Sequence, residues 1–201
     1  MAKYLVTGGA GFIGSHLVDG LVAAGDKVVV FDNLSSGHKR NLQDHKISDV
    51  RLVEGDVRDD KAVKRAAKGC DYALHLAGLP GVERSVNNPD ETLKTAFLGT
   101  LNVLSAAREL KIKRVIYASS AAVYGHRHPA ATDERHPVRP TGSTYGDTKI
   151  ASEQVVLQAH AAGEIAVSIL RPADVYGPGS QPWTILPVEI LRLTGTATIG
   201  T

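Results

Sequence analysis

Residues 7–14 read Thr7-Gly8-Gly9-Ala10-Gly11-Phe12-Ile13-Gly14 and follow the short apolar run Tyr4-Leu5-Val6. Two glycine registers overlap here, Gly9-x-Gly11-x-x-Gly14 and Gly8-x-x-Gly11-x-x-Gly14. Glycine permits positive φ and close backbone approach. A helix starting at this point presents unpaired N–H groups, and the positive end of its dipole, to a pyrophosphate. A glycine fingerprint alone is weak evidence, but the context it needs is present. A strand-like run precedes it, and Ile13, Leu17 and Leu21 repeat at helical spacing after it. Val28-Val29-Val30-Phe31 then reads as a second strand ending at Asp32. An acidic residue roughly 20 positions on hydrogen-bonds the adenosine ribose of a dinucleotide. Such a carboxylate repels a 2′-phosphate, so the pattern predicts NAD rather than NADP. A P-loop is excluded, because Ser15 and His16 stand where Lys and Ser or Thr are required.

Outward from this unit the alternation continues. Val50-Arg51-Leu52-Val53, Tyr72-Ala73-Leu74-His75-Leu76, Arg114-Val115-Ile116-Tyr117 and Ile165-Ala166-Val167-Ser168-Ile169-Leu170 read as strands. They are near-continuous in apolar or β-branched residues, as strands covered on both faces require. Leu93, Phe97, Leu101 and Leu104 mark a second amphipathic helix. The predicted fold is α/β: a doubly wound Rossmann fold, a parallel sheet with helices on both faces. Two long irregular stretches, 125–143 and 177–187, interrupt the pattern and are candidates for functional loops.

Composition narrows the classes. The 201 residues are 43% hydrophobic and 22% charged, enough for one large domain, or one domain and the start of another. A net charge of +2, with its basic residues scattered, argues against a nucleic-acid surface. No apolar run approaches the roughly 18 residues of a membrane span. The single cysteine, Cys70, excludes an intramolecular disulfide and suggests a reducing, cytoplasmic compartment. The segment Met1–Val6 lacks a signal-peptide layout, so the sequon Asn33-Leu34-Ser35 is discounted.

Tyr145-Gly146-Asp147-Thr148-Lys149 opens a helical pattern running through Ala151, Val155 and Ala159. Tyr and Lys at i and i+4 share one helix face. An ammonium beside a phenol favours the phenolate, the form a general base needs. Alone, the same spacing also describes a surface helix pair. Tyr117-Ala118-Ser119-Ser120 ends the fifth strand, at the side of a parallel sheet where ligands bind. No Gly-x-Ser-x-Gly elbow supports a hydrolase. Asp56, in Gly55-Asp56-Val57-Arg58-Asp59, either reaches the adenine or caps the helix from Asp59.

Six segments in sequence order carry a resemblance: Thr7–Gly14, Gly55–Asp59, His75-Leu76-Ala77-Gly78, Tyr117–Gly125, Tyr145-x-x-x-Lys149 and Leu170-Arg171-Pro172-Ala173-Asp174-Val175-Tyr176-Gly177-Pro178. Together they resemble the extended short-chain dehydrogenase/reductase family, in its NAD-dependent nucleotide-sugar epimerase/dehydratase branch. The resemblance implies that Gly8, Gly11, Phe12, Ile13 and Gly14 hold the pyrophosphate, Asp32 and Asn33 the adenosine ribose, and Asp56 and Val57 the adenine. Leu76, Ala77 and Gly78 would line the middle of the cofactor, with Pro172 beside the nicotinamide. Tyr145 would be the base, Lys149 would bind the nicotinamide ribose and support Tyr145, and Ser120 would hold the reacting oxygen. The implied reaction is oxidation of a sugar C4 hydroxyl with NAD, turnover of the 4-keto sugar and return of the hydride to its other face. The substrate would be a nucleotide sugar, UDP-linked, and the activity a 4-epimerase. The alternatives are an NAD-dependent sugar, alcohol or steroid dehydrogenase on the same scaffold, and a truncated NAD-binding module without turnover.

Family dehydratases usually carry Asp-Glu directly after the catalytic Ser or Thr; Ala121 and Ala122 stand there, which argues against a 4,6-dehydratase. Gly81–Pro89 resembles a segment of UDP-N-acetylhexosamine and UDP-uronate epimerases, which would put Arg84 and Ser85 near the substrate. Ala96 and Asp174 stand where the family usually has Asn. Asp174 falls at a position that commonly meets the substrate pyrophosphate, which a carboxylate would repel. Family members run roughly a hundred residues further. We therefore expect an NAD-binding domain over 1–172 and the start of an incomplete substrate region over 173–201. The helices at 90–110 and 145–163 carry apolar positions on more than one face, and with the resemblance this predicts a homodimer through a four-helix interface. His126, His128 and His136 read as a polar loop rather than a metal site.

Overall fold

The computed structural model describes residues 1–79, 81–125, 129 and 131–194. Six parallel strands form one sheet in the order β3-β2-β1-β4-β5-β6. They are β1 (Lys3–Thr7), β2 (Lys27–Asp32), β3 (Val50–Glu54), β4 (Tyr72–His75), β5 (Arg114–Ala118) and β6 (Val167–Leu170). The helices are α1 (Phe12–Ala23), α2 (Asp60–Ala67), α3 (Val82–Asn87), α4 (Pro89–Leu93), α5 (Gly99–Glu109), α6 (Thr144–Ala161) and α7 (Leu186–Thr194). Sequence order reverses between β1 and β4, so the switch point where open α/β sheets bind ligands lies beside the glycine-rich turn.

The continuous apolar strands follow from burial on both faces. Leu5, Val29, Phe31, Ala73, Val115 and Tyr117 pack with Val63, Ala66 and Ala67 of α2, Val103, Ala106 and Ala107 of α5, and Val156 and Ala159 of α6. Val6, Val28, Val30 and Leu74 point the other way, to Val18 of α1, Ala10, Leu42 and Val50. Successive residues of β2 thus serve opposite cores, as the two-residue period of a strand demands.

Two helical expectations differ in detail. Of the stripe Ile13, Leu17 and Leu21, only Leu21 packs against the core. Gly14, Ser15 and Val18 are buried instead, while Ile13 and Leu17 border the ligand cleft and are each 38% exposed. The helix expected over 90–110 is also not uniform. A π-helical segment, Lys94–Leu98, lies between α4 and α5. Its extra residue shifts the register. Thr92, Thr95 and Ala96 face the cleft before the shift, and Val103, Ala106 and Ala107 face the core after it.

Phe31 is fully buried, and its ring fills the space beside Gly55. A Cβ at residue 55 would stand 2.5 Å from Phe31 Cε2 and 2.7 Å from Cζ. Gly55→Ala is therefore expected to destabilise the chain by about 1–3 kcal/mol through overpacking. Phe31→Leu in the same chain should recover part of that loss, because the two sites share one space. Urea midpoints of the two single variants and the double variant measure the coupling; strictly additive losses would contradict it.

Candidate active site

A cleft of about 970 Å³ runs along the carboxyl ends of the strands. Its floor is the turn after β1. Gly8 has φ +71°, and a Cβ there would meet the Ala77 nitrogen at 2.8 Å. Gly11 caps α1 without any side chain, so the first-turn N–H groups stay open to a ligand. Gly14 packs directly on the Gly8 carbonyl oxygen. A cradle that any Cβ would fill, at a bare helix N-terminus, fits the pyrophosphate of a dinucleotide.

Asp32, at the end of β2, is buried, and its carboxylate already has work inside the protein. Oδ2 accepts the Ala10 N–H at 3.0 Å and Oδ1 accepts the Leu34 N–H at 2.8 Å. It therefore fixes the glycine turn as well as facing the cleft. Asn33 and Val57 also line the cleft, and Asp56 does not. Asp56 is not the helix cap. Asp59 takes that role by accepting the Ala62 N–H at 3.0 Å. Asp56 accepts Nε–H of Arg58 at 2.9 Å and the Asn33 amide at 3.4 Å, and the Arg58 hydrogen bonds hold its carboxyl below the usual range. The Val57 carbonyl is held by the Asn102 amide at 2.8 Å.

The opposite wall carries Ser120, Tyr145 and Lys149, together with Leu76, Ala77, Gly78 and Pro172. Ser120 Oγ accepts the Ala122 N–H at 3.1 Å, capping the short 3-10 turn Ala121–Tyr124 and leaving its own proton to donate. Lys149 Nζ donates to the Ala118 carbonyl at 2.8 Å, and lies 5.2 Å from the centre of the Tyr117 ring and 6.0 Å from that of Tyr145. Burial lowers the Lys149 ammonium to a pKa of about 8, while the charge of Glu153 opposes the shift. Arg84, Ser85 and Asp174 do not border the cleft: Arg84 is half-buried, Ser85 fully buried in α3, and Asp174 exposed. Trp183, in the π-helical segment Gln181–Ile185, does line it. Cys70 is buried, as expected of a small apolar residue. Among the described residues no cluster of His, Cys, Asp or Glu could hold a metal ion. His126 and His128 lie outside the described residues.

Sequence reasoning missed a buried polar chain under the cleft. The Ala77 N–H donates to Thr7 Oγ1 (3.2 Å), which contacts His75 Nδ1 (2.7 Å). His75 Nε2 contacts Thr100 Oγ1 (3.1 Å), which donates to the Ala96 carbonyl (2.6 Å). The Thr100 proton is committed to Ala96, so Nε2 carries the His75 proton and Nδ1 accepts from Thr7. The network thus assigns the neutral Nε2–H tautomer. No spacing in the sequence marks these five residues as partners, since Thr7, His75 and Thr100 lie on β1, β4 and α5.

With this geometry the comparisons with known proteins become informative. The profile of the NAD dependent epimerase/dehydratase family matches residues 4–193, and the chain belongs to that family. It is 38% identical over 180 residues to a putative UDP-glucose 4-epimerase of Methanocaldococcus jannaschii, covering 89% of this chain and 57% of that protein. The crystal structure of a Thermus thermophilus UDP-glucose 4-epimerase with NAD is 34% identical, with a TM-score of 0.83 over 94% of this chain and 61% of the other. The dTDP-glucose 4,6-dehydratase DesIV of Streptomyces venezuelae, solved with NAD and TYD, is 33% identical, with a TM-score of 0.87 over 96% and 62%. The chain therefore spans about three-fifths of the length of these relatives.

Burial lowers His75 from an ordinary pKa near 6.5 to about 3. Between those values the unfolded chain binds a proton at this site and the native chain does not, so stability falls as pH drops through the window. From about pH 6.5 to about pH 5 the loss from this group should be about 2 kcal/mol. His75→Leu should lack that component. Urea unfolding of both chains at the two pH values tests it, and equal losses would exclude His75 as the source.

Proposed function

We propose that the chain is the NAD-binding part of a nucleotide-sugar 4-epimerase of the UDP-hexose type, working through a transient 4-keto sugar. The observation that carries this reading is the arrangement of Ser120, Tyr145 and Lys149 on one wall of a cleft floored by a bare glycine cradle. NAD would lie with its pyrophosphate on Gly8, Gly11, Phe12, Ile13 and Gly14, its ribose at Asp32 and Asn33, and its adenine by Val57 and the adjoining Asp56. Leu76, Ala77 and Gly78 would flank its middle, and Pro172 its nicotinamide. Its nicotinamide supplies a reversible hydride acceptor.

The chain's own residues supply the proton chemistry. Tyr145 takes the proton of the sugar C4 hydroxyl and later returns it. Ser120, whose Oγ lone pair is already engaged by Ala122, donates its hydrogen bond to the same oxygen. Lys149 binds the nicotinamide ribose and keeps positive charge beside the Tyr145 ring. Ala121 and Ala122 follow Ser120, so this wall offers no acid–base pair for eliminating water, which favours epimerisation over dehydration. One observation favours a dehydrogenase instead. The family resemblance puts Asp174, exposed here, at a position that meets the substrate pyrophosphate, which its carboxylate would repel, whereas a sugar or alcohol without one would not be repelled.

Arg84, Ser85 and Asp174 belong to the proposal as substrate contacts outside the described cleft, with 173–201 as the beginning of the substrate region. A homodimer through a four-helix interface belongs to it too: Leu93, Leu98 and Leu101, on the helix running from α4 to α5, and Leu157 of α6 are all exposed. So does a cytoplasmic setting, in keeping with a single buried thiol outside any disulfide.

Incubation with UDP-sugars, followed for both epimer and free NADH, separates the two activities: the epimer appears without net NADH in the first, and NADH accumulates with an oxidised product in place of the epimer in the second. In any form of the protein that turns over, Tyr145→Phe should slow the reaction at least about a hundredfold while NAD stays bound. An unchanged rate would remove Tyr145 from the mechanism. Asp32→Ala should weaken NAD far more than NADP, because the native carboxylate favours a free 2′-hydroxyl; calorimetric titration with both cofactors reads the ratio, and an unchanged preference would refute the assignment.

A further inference from the structure

Tyr145, Lys149 and Glu153 recur at i+4 on α6, and Glu153 is fully buried. Its carboxylate is gripped by both ends of one guanidinium: Arg171 Nε donates to Oε1 at 2.9 Å and Nη2 to Oε2 at 2.7 Å. Arg171 is the residue between β6 and Pro172. Its Nη1 also donates to the Tyr124 hydroxyl at 2.8 Å and to the Glu134 carbonyl at 3.3 Å, and its guanidinium lies 5.1 Å from the centre of the Tyr124 ring. Tyr124 closes the short turn that Ser120 caps. Backbone bonds tie the same segments, Ser119 N–H to the Leu170 carbonyl and Ala121 N–H to the Pro172 carbonyl, both at 2.8 Å. None of Glu153, Arg171 and Tyr124 borders the cleft.

We infer that Glu153, held by Arg171, is a positioning residue for Lys149: it keeps the ammonium charged inside the protein and ties the helix bearing Tyr145 and Lys149 to the segments bearing Ser120 and Pro172. This rests on the reading of Lys149 as the nicotinamide-ribose ligand given above.

Stability alone does not account for the pair. A buried ion pair is often no more stabilising than apolar side chains of the same volume. Its position, however, has a local use. Lys149 is half-buried on the cleft wall, and the one carbonyl it donates to does not neutralise a cation. The titratable groups packed around it are Tyr145 and Glu153 on its own helix, Tyr117 of β5 and the neutral His75 of β4. Glu83, Arg84, Asp90, Glu91 and Lys94, on the elements before α5, sit at exposed or half-exposed positions. Glu153, one turn along the same helix and fully buried, is the carboxylate whose charge acts to keep Lys149 protonated, from beyond ion-pair distance. Arg171 in turn makes it possible to bury Glu153 and fixes where it points.

The test is the double variant Glu153→Gln/Arg171→Met, which replaces the pair by neutral side chains of similar size, so the fold should survive. NAD affinity of the native chain should fall with rising pH as Lys149 discharges, and in the variant that fall should begin about one pH unit lower. Nitrogen-15 lysine NMR, with the Lys149 signal assigned from Lys149→Met, should show the same downward move of its titration. A structural role alone predicts an unmoved midpoint, with affinity lower by the same factor at every pH; that result, or no change at all, overturns the inference. If the double variant does not fold, Glu153→Gln alone keeps the Arg171 bonds to Tyr124 and Glu134 and carries the same expectation. Should Lys149→Met retain the pH-dependent step in NAD affinity, the assignment of Lys149 as cofactor ligand fails, while the Lys149 titration still decides the role of Glu153.

Discussion

The cleft depends on a contact that admits no side chain. Gly14, in the first turn of α1, lies so close to the turn after β1 that a Cβ there would overlap the Gly8 carbonyl oxygen and come within 2.7 Å of Gly9 Cα. Because nothing intervenes, the helix starts directly over the carboxyl end of the sheet, with its N–H groups aimed along the cleft. Two neighbours then fix the turn. The Gly8 N–H donates to the Phe31 carbonyl at 2.9 Å, and the Ala10 N–H donates to Asp32. The ends of β1 and β2 are thereby joined at the switch point, and Ala77, after β4, closes on Gly8 from the other side. Asp32 sits at the crossing of these constraints. Its replacement would loosen the turn as well as remove the proposed ribose contact, so the loss of affinity has a component independent of the 2′ position.

Beneath that surface the protein treats two bases differently. Burial keeps His75 neutral, with a hydroxyl at each ring nitrogen and no carboxylate beside it. Lys149, half-buried on the cleft wall, has a carboxylate one helical turn away, and that carboxylate has a guanidinium beyond it. Of these two bases, the charged one is the one with a carboxylate buried one helical turn away. The chain of hydrogen bonds from Ala77 to Ala96 beneath the cleft carries no charge, and Lys149 is the cation beside Tyr145.

Much of this is legible in the sequence, and the exceptions have physical reasons. The strands are legible because two-sided burial requires unbroken apolar runs, as in Val28 to Phe31. The glycine turn is legible because steric exclusion leaves only one residue type. The π-helical segment is not: Leu93, Phe97, Leu101 and Leu104 satisfy ordinary helical spacing, and the shift shows only in which residues are buried. The choice between Asp56 and Asp59 as cap is not legible either, since both have the right composition and only Asp59 has its side chain on the Ala62 N–H. Glu153 reads in sequence as one more polar position on a long helix. Its partner lies 18 residues away across a strand, so the pairing belongs to tertiary structure alone.

The distribution of apolar exposure separates the two halves of the cleft. Around the cradle the apolar residues beneath the floor are buried: Val6, Ala10, Val30 and Phe31. In the segment after β6 the apolar residues are open instead: Leu170 is 55% exposed and Tyr176 80%, and Leu186, Leu191 and Leu193 of α7 are all exposed. Tyr176 borders a hollow with Phe12, Ile13, His16 and Leu17, so this segment crosses back to α1. The cofactor side is a closed construction held by glycine contacts and buried hydrogen bonds. The other side is lined by Ser120, Tyr145, Pro172 and Trp183, and Pro178 to Pro182 join the lining from beyond β6. The dinucleotide end of the cleft is therefore built from groups fixed at the glycine turn, and the other end from residues spread over several segments after β5.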